Sequence, residues 1–293
     1  MQHNLKNTIE YNYSLKHLTR LKVGGYCDIF YKPYDLEDLA NFLNFLPKDI
    51  EINIIGAGSN LLIRDGGVDG AVIKLPKFFH KLEYHQDYIV AGAATLNYSL
   101  VQFALQNNIQ DLEFLSGIPG SIGGGIAMNA GAYGWEFKDI LIDFTVLDRN
   151  GNVCVINSND VEFKYRSCNI PKDWIILEAK FKATKGDFDV IQNKVLSITS
   201  EREKAQPYRE KTAGSTFINP DGYKAWQLIE SVGLRDFRIN DATFSSKHCN
   251  FLINLGNATA KDLEDLGNLA VARVLEKHDI NLTWEVKKIG KYD

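Results

Sequence analysis

Ile52-Asn53-Ile54-Ile55-Gly56-Ala57-Gly58-Ser59-Asn60-Leu61-Leu62-Ile63 is the stretch on which the fold turns. Ile52 to Ile55 reads as a strand, Gly56 to Asn60 as a glycine turn, and Leu61 to Ile63 as a second strand. A P-loop or a Rossmann unit places a helix after its glycines. This turn also lacks a third glycine and a Lys-Ser/Thr ending, so both of those nucleotide folds are disfavoured.

Working outward, Asp35 to Leu46 has a capping Asp, early acids and apolar residues at helical spacing, which predicts a short amphipathic helix. Thr95 is expected as the N-cap of a helix through Leu96, Leu100, Phe103 and Ala104 to Asn108. Between Ser116 and Gly134 stand seven glycines, a density expected to disrupt any regular element. Strands are expected at Leu141 to Asp148, Val153 to Ile156 and Ile175 to Lys182, with a turn at Arg149-Asn150-Gly151. The charged run Glu201 to Pro207 reads as a boundary. Beyond it come a helix through Ala225, Leu228, Ile229 and Val232 that stops at Gly233, a helix from Thr259 bearing Leu263, Leu266, Ala270 and Val274, and an alternating tail from Leu282 to Gly290. The sum is a mixed α+β fold with strands and helices more segregated than alternating.

The 293 residues imply about two domains, and 45% hydrophobic with 24% charged residues is an ordinary globular composition. A net charge of −4 argues against nucleic acid as a partner. The polar start Met1 to Asn7 has no apolar core of the signal-peptide kind, and no window approaches about 18 uninterrupted apolar residues. A cytoplasmic address without a membrane partner is expected. Cys27, Cys154, Cys168 and Cys249 form no CxxC, and the six histidines form no HxxxH or HExxH, so no metal site is expected. The cysteines are expected to be mostly buried small apolar groups.

Chemistry has several candidate seats, each with a plainer reading beside it. Gly56 to Asn60 and Gly117 to Gly134 can bring backbone N–H groups close to a pyrophosphate, with Ser59, Asn60, Ser121 and Asn129 adding neutral hydrogen bonds. The plainer reading, tight turns between strands, suits Gly56 to Asn60 better than Gly117 to Gly134, where so many glycines would lose conformational entropy on ordering. Arg166 could fork onto a carboxylate or phosphate, or be a solvated surface residue. Ser215 could donate a proton or serve as a turn or cap residue; its surroundings are not GxSxG. Glu285 could act in chemistry or simply sit on a surface strand. His248 beside Cys249 is adjacency without support for a catalytic pair.

Taken in order, Tyr13-Ser14-Leu15-Lys16-His17-Leu18-Thr19, Val23-Gly24-Gly25, Gly56-Ala57-Gly58-Ser59-Asn60-Leu61-Leu62, Gly117-Ile118-Pro119-Gly120-Ser121-Ile122-Gly123-Gly124, Met128-Asn129-Ala130-Gly131-Ala132-Tyr133-Gly134, Tyr165-Arg166-Ser167, Gly214-Ser215-Thr216-Phe217-Ile218-Asn219-Pro220, Lys247-His248-Cys249-Asn250-Phe251 and Glu285-Val286 resemble the UDP-N-acetylenolpyruvoylglucosamine reductase (UDP-N-acetylmuramate dehydrogenase) family. The resemblance spans nearly the whole chain. It implies an FAD-dependent oxidoreductase with NADPH as hydride donor, acting on a UDP-sugar enolpyruvyl ether in peptidoglycan precursor synthesis. A two-lobed FAD-binding fold of the vanillyl-alcohol-oxidase type, residues 1–200 with lobes at about 1–75 and 76–200, would precede a substrate-binding α+β domain, 201–293, whose tail 281–293 returns to the active site. FAD would be held by Gly56, Ala57, Gly58, Ser59 and Asn60, by Gly117, Pro119, Gly120, Ser121, Gly123 and Gly124, and by Asn129, Ala130 and Gly131.

The same resemblance implies that Arg166 and Glu285 act at the substrate carboxylate, that Ser215 supplies the proton, and that Tyr165 and Asn219 contact substrate. Two departures stand out: Ser167 follows the Arg where some members carry Asp, and Cys249 replaces a small residue before Asn250. Only 48 residues lie between Arg166 and Ser215, too few for the tyrosine-bearing insertion of one subclass. A monomer is expected. Two rivals remain at this stage, a flavin oxidase on the same fold and a sugar-nucleotide binding protein without turnover.

Overall fold

A computed structural model describes residues 5–293; the reading of the polar start falls, up to Asn4, outside them. By compactness the chain divides into two units. The first takes residues up to 11, then 29–57 and 70–201; the second takes 12–28, 58–69 and 202–293.

The N-terminal strands β1 (Glu10–Ser14) and β2 (Tyr26–Tyr31) precede helix α1 (Leu36–Phe45). Asp35 caps α1 by accepting from the Asp38 amide, as the acidic entry predicts. Next come β3 (Ile52–Ile54), β4 (Leu61–Ile63) and β5 (Val68–Ile73), so the order strand, glycine turn, strand holds. β3 and β5 are parallel, with Ile54 opposite Ile73, and the Ile55 amide continues the ladder to the Ile73 carbonyl at 2.9 Å. Gly56 and Lys74 therefore emerge side by side.

The rest of the first unit is built on a five-stranded antiparallel sheet. Its edge strand Val153–Asn157 pairs with Leu141–Leu147, which pairs with Ile175–Lys182, then β7 (Tyr88–Gly92) and β6 (Leu82–His85). Ile89, Ala91, Phe144, Val146, Ala179 and Phe181 point from it into one core with Leu100 and Ala104 of α2 (Asn97–Gln106). A second cluster packs Leu39, Phe42 and Leu43 of α1 on Tyr31, Ile52 and Ile73.

Three local expectations are corrected here. Thr95 does not cap α2: Leu96 occupies that position, the Gly120 carbonyl takes the Asn97 amide, and the buried Thr95 hydroxyl is spent on the Lys81 backbone. The glycine-dense stretch contains a helix, α3 (Ile122–Ala127), because its glycines let neighbours pack against it; a Cβ on Gly125 would lie 2.3 Å from the Phe137 ring on α4 (Phe137–Ile140). The charged run from Glu201 lies at the division between the two units, and its first residues form the last turn of an unforeseen 18-residue helix, α5 (Phe188–Ala205). Of the cysteines, Cys27 and Cys249 are buried, whereas Cys168 is half-buried and Cys154 exposed on an edge strand.

In the second unit, β4 pairs in parallel with Lys287–Ile289. A small antiparallel sheet, Arg238–Ile239, Ala242–Phe244 and Leu252–Asn254, packs with α6 (Ala225–Ser231) and the 19-residue α7 (Ala260–His278). Thr259 and Asp262 close a reciprocal capping box on α7. The tail is regular only over Lys287–Ile289, with Trp284 bridging Phe217 ahead of it. The core joins Leu21, Val23 and Leu62 to Phe217, Phe244, Leu263 and Leu266.

Candidate active site

In the first unit the glycine loops border a cavity of about 510 Å³ walled by Gly56, Ala57, Lys74, Ser121, Gly124 and Trp174 among others. A Cβ on Gly56 would stand 2.5 Å from the Ser121 hydroxyl and 4.0 Å from the Gly124 amide nitrogen. Only a glycine leaves that cradle open to a ligand. On Gly124 a Cβ would meet nothing but that hydroxyl, at 3.5 Å. Other glycines make room for protein: a Cβ on Gly117 would press on the Tyr133 ring, on Gly123 on Ala93, and on Gly131 on the Trp135 carbonyl. Asn97 pins Pro119-Gly120 by donating from its side chain to the Ile118 carbonyl at 3.0 Å and from its amide to Gly120.

Asn129 is fully buried. Its side chain donates to Glu136 and to the Lys164 carbonyl and accepts from the Lys138 amide, so it shapes the loop from inside. Ala130 is tied at both ends, its amide to Gly125 and its carbonyl to Phe137. Tyr165 and Arg166 form the tip of a tight hairpin between Phe163–Lys164 and Ser167–Cys168, with Arg166 at φ +57°. The Arg166 guanidinium stacks 4.4 Å from the Tyr165 ring centroid and donates to the Gly131 carbonyl at 2.8 Å. Glu136 stands 3.7 Å from its other nitrogen, and the side chain is 16% exposed. A fork stacked and anchored in this way is oriented, which a solvated arginine is not.

In the second unit Gly58, at φ +64°, lies so close to the Leu18 carbonyl that any Cβ would clash. Ser59 and Asn60 follow. Asn60 donates from its side chain to the Glu285 carbonyl at 3.1 Å, and its own carbonyl accepts from the Lys287 amide at 3.1 Å. Opposite, the Thr216 carbonyl accepts from the Glu285 amide at 2.8 Å, and Phe217 pairs with Trp284. Ser215 and Glu285, 70 positions apart, thus sit on adjoining, antiparallel backbone. Ser215 is half-buried, after Gly214 at φ +82°. Asn219 spends its side-chain oxygen on the Ala225 amide at the start of α6. Arg166 belongs to the other unit.

Two residues that hold this segment carry no sequence signal beyond their place in a motif. Asn250 accepts from the Phe217 amide and donates to its carbonyl, replacing a strand partner, and Thr216 accepts from the Leu252 amide. Lys74 has no motif at all; only the β3–β5 register brings it to Gly56. His248 and Cys249 do not make a nucleophile: burial pushes the Cys249 thiol up to about 12 and lowers the imidazole's proton affinity.

Comparison with known proteins bears on both units. Residues 206–289 match the UDP-N-acetylenolpyruvoylglucosamine reductase C-terminal domain, and residues 27–157 match an FAD binding domain. Proteins named UDP-N-acetylenolpyruvoylglucosamine reductase from Rickettsia prowazekii and Rickettsia bellii are 50% and 51% identical over 288 residues. Each alignment covers 98% of this chain, with 98% and 95% of the relative. The crystal structure of UDP-N-acetylenolpyruvylglucosamine reductase from Thermus caldophilus superposes with a TM-score of 0.83 at 32% identity, covering 96% of this chain and 98% of that one. The two-part α+β architecture expected from the motifs is the one these matches share.

Proposed function

From the premise that the chain belongs to the UDP-N-acetylenolpyruvoylglucosamine reductase family, we infer that it reduces the enolpyruvyl ether of UDP-N-acetylglucosamine to UDP-N-acetylmuramate for peptidoglycan synthesis. The observation that carries this is end-to-end similarity at 50% identity, in a chain that has the glycine cradle and in which Ser215 and Glu285 lie on adjoining backbone. The enzyme is an FAD-dependent oxidoreductase that uses NADPH.

The Gly56–Ser121–Gly124 cradle fits a pyrophosphate-bearing cofactor, because it offers backbone and hydroxyl groups where a Cβ would intrude. FAD, when bound, relays two electrons from NADPH to the substrate. Residues 1–200 would supply most of its grip, at Gly56 to Asn60 and Gly117 to Gly131, and 201–293 the sugar-nucleotide site. Hydride arriving at the terminal enol carbon leaves negative charge on the adjacent carbon and its carboxylate. Arg166, with its guanidinium already oriented, stabilises that charge directly, and Glu285 polarises the carboxylate from a backbone clamped by Asn60 and Thr216. Ser215 delivers its hydroxyl proton to the carbanionic carbon. Tyr165 and Asn219 contact the substrate.

Small molecules are therefore the partners. No described helix is long and apolar enough to cross a membrane; we place the enzyme in the cytoplasm, as a monomer that binds neither membrane nor nucleic acid.

Anaerobic stopped-flow absorbance tests the reading. The wild-type protein should be yellow, bleach with NADPH and recolour with the enolpyruvyl substrate. Ser215→Ala should bleach at the wild-type rate and recolour about 10²–10⁴-fold more slowly. Equal loss of both half-reactions overturns the proton-donor role. Recolouring only with O₂ makes the protein an oxidase on the same fold, and a colourless protein that takes up no FAD overturns the reading altogether.

A further inference from the structure

Lys74 immediately follows β5, where the chain leaves the parallel β3–β5 pair, and its ammonium donates to the Gly56 carbonyl at 2.6 Å. It also lines the 510 Å³ cavity. No described carboxylate pairs with it. Its electrostatic neighbour is another cation, Lys32; burial first and this ammonium second pull its proton affinity down. A half-buried ammonium facing a like charge is an unfavourable arrangement unless an anion completes it. The opening of the site supplies the position for that anion, since the carbonyl that holds Lys74 belongs to the glycine whose missing Cβ leaves the Ser121 hydroxyl and the Gly124 amide accessible.

We infer that Lys74 is the cation that meets the pyrophosphate of the bound flavin dinucleotide, fixed in place by the Gly56 carbonyl. The inference rests on the FAD reading above and adds to it a charged contact that the neutral glycine, serine and asparagine groups of the loops do not provide. A compact ammonium suits this task because it needs no fixed fork geometry to neutralise a phosphate. Ile170, Pro171 and Trp174 form an apolar and aromatic stretch of wall that accepts a flat ring, while Glu51, His80 and Lys172 also line the cavity. Of these lining groups, Lys74 is the one held by a hydrogen bond to the Gly56 carbonyl of the glycine cradle.

The test is equilibrium binding to the flavin-free protein of FAD and of riboflavin, which lacks the pyrophosphate, at several KCl concentrations. It compares wild type, Lys74→Met and Lys74→Arg. Lys74→Met should weaken FAD at least tenfold, leave riboflavin within twofold, and flatten the salt dependence of FAD affinity, because one screened ion pair is gone; Lys74→Arg should recover most of the loss. If Lys74→Met binds FAD as tightly as wild type, or weakens FAD and riboflavin equally, Lys74 is not the pyrophosphate contact although the FAD reading stands. A wild-type protein that binds no FAD sinks the underlying reading instead. Should Lys74→Met fail to fold, acetylation of the wild-type protein with acetic anhydride, followed by peptide mass spectrometry, decides the matter. FAD and ADP should protect Lys74 at least fivefold and riboflavin should not; unchanged labelling with FAD overturns the assignment.

Discussion

Glu264 lies on α7 at 2% exposure and gathers four hydrogen bonds: Arg64 Nε at 2.9 Å, Arg64 Nη2 at 3.0 Å, Lys288 Nζ at 3.1 Å and the Tyr292 hydroxyl at 3.0 Å. Burial alone would raise its pKa, but the donors from Arg64, Lys288 and Tyr292 overcome it and hold the carboxyl at about 2. A depressed carboxyl stabilises the fold fully above its unfolded value near 4.5 and loses that contribution as pH falls toward 2. Glu264→Gln should therefore cost on the order of 3 kcal/mol at pH 7, with the gap to wild type closing between about pH 4.5 and 2. Urea unfolding across that range checks it; a gap independent of pH would refute the assignment. The cluster joins the residue after β4 to the returning Lys287–Ile289 strand, the two flanks that set Asn60 against Glu285. At this scale Ser215, Arg166 and Glu285 stand out as candidates because motifs surround them. Glu264, like Lys74, was not, since a charged residue in a helix or after a strand reads as solvated until its neighbours are known.

Among the elements, α7 shows where local rules stop. Gly267 stands inside this helix, where alanine is ordinarily preferred by about 1 kcal/mol. Here a Cβ would lie 2.2 Å from the Trp284 ring, so Gly267→Ala should destabilise by about 1–3 kcal/mol instead. It should also lower kcat on the enolpyruvyl substrate, because Trp284 precedes Glu285 and pairs with Phe217. Thermal unfolding with steady-state kinetics tests this; an equal or higher melting temperature would show that the ring yields. Helices α1, α6 and α7 were readable from caps and apolar spacing. In α5 only Ile191, Val195 and Ile198 are buried, while Phe188, Val190 and Leu196 are exposed, so its stripe is thin against a charged background. In α3 the glycines obscured a helix that packing with Ala93 and Phe137 imposes.

For the whole molecule, the two compact units are not successive stretches of chain. The core of the second unit takes Leu21, Val23 and Leu62 from early in the sequence, and β4 is the partner of Lys287–Ile289. A fragment of residues 202–293 should accordingly lack a cooperative thermal transition and show flat near-ultraviolet circular dichroism, although its C-terminal sequence match covers almost all of it. A cooperatively melting fragment would show those early segments to be dispensable. Family membership and the α+β class could be read from the sequence by itself, and so could the proposed site residues as candidates, because motifs, turns and amphipathic periods are local patterns that survive in one dimension. Tertiary structure alone decided which distant segments share a core, that Ser215 adjoins Glu285 and that Lys74 reaches Gly56. Those pairings follow from strand register and packing between residues far apart in the chain, and such contacts leave no period in the sequence.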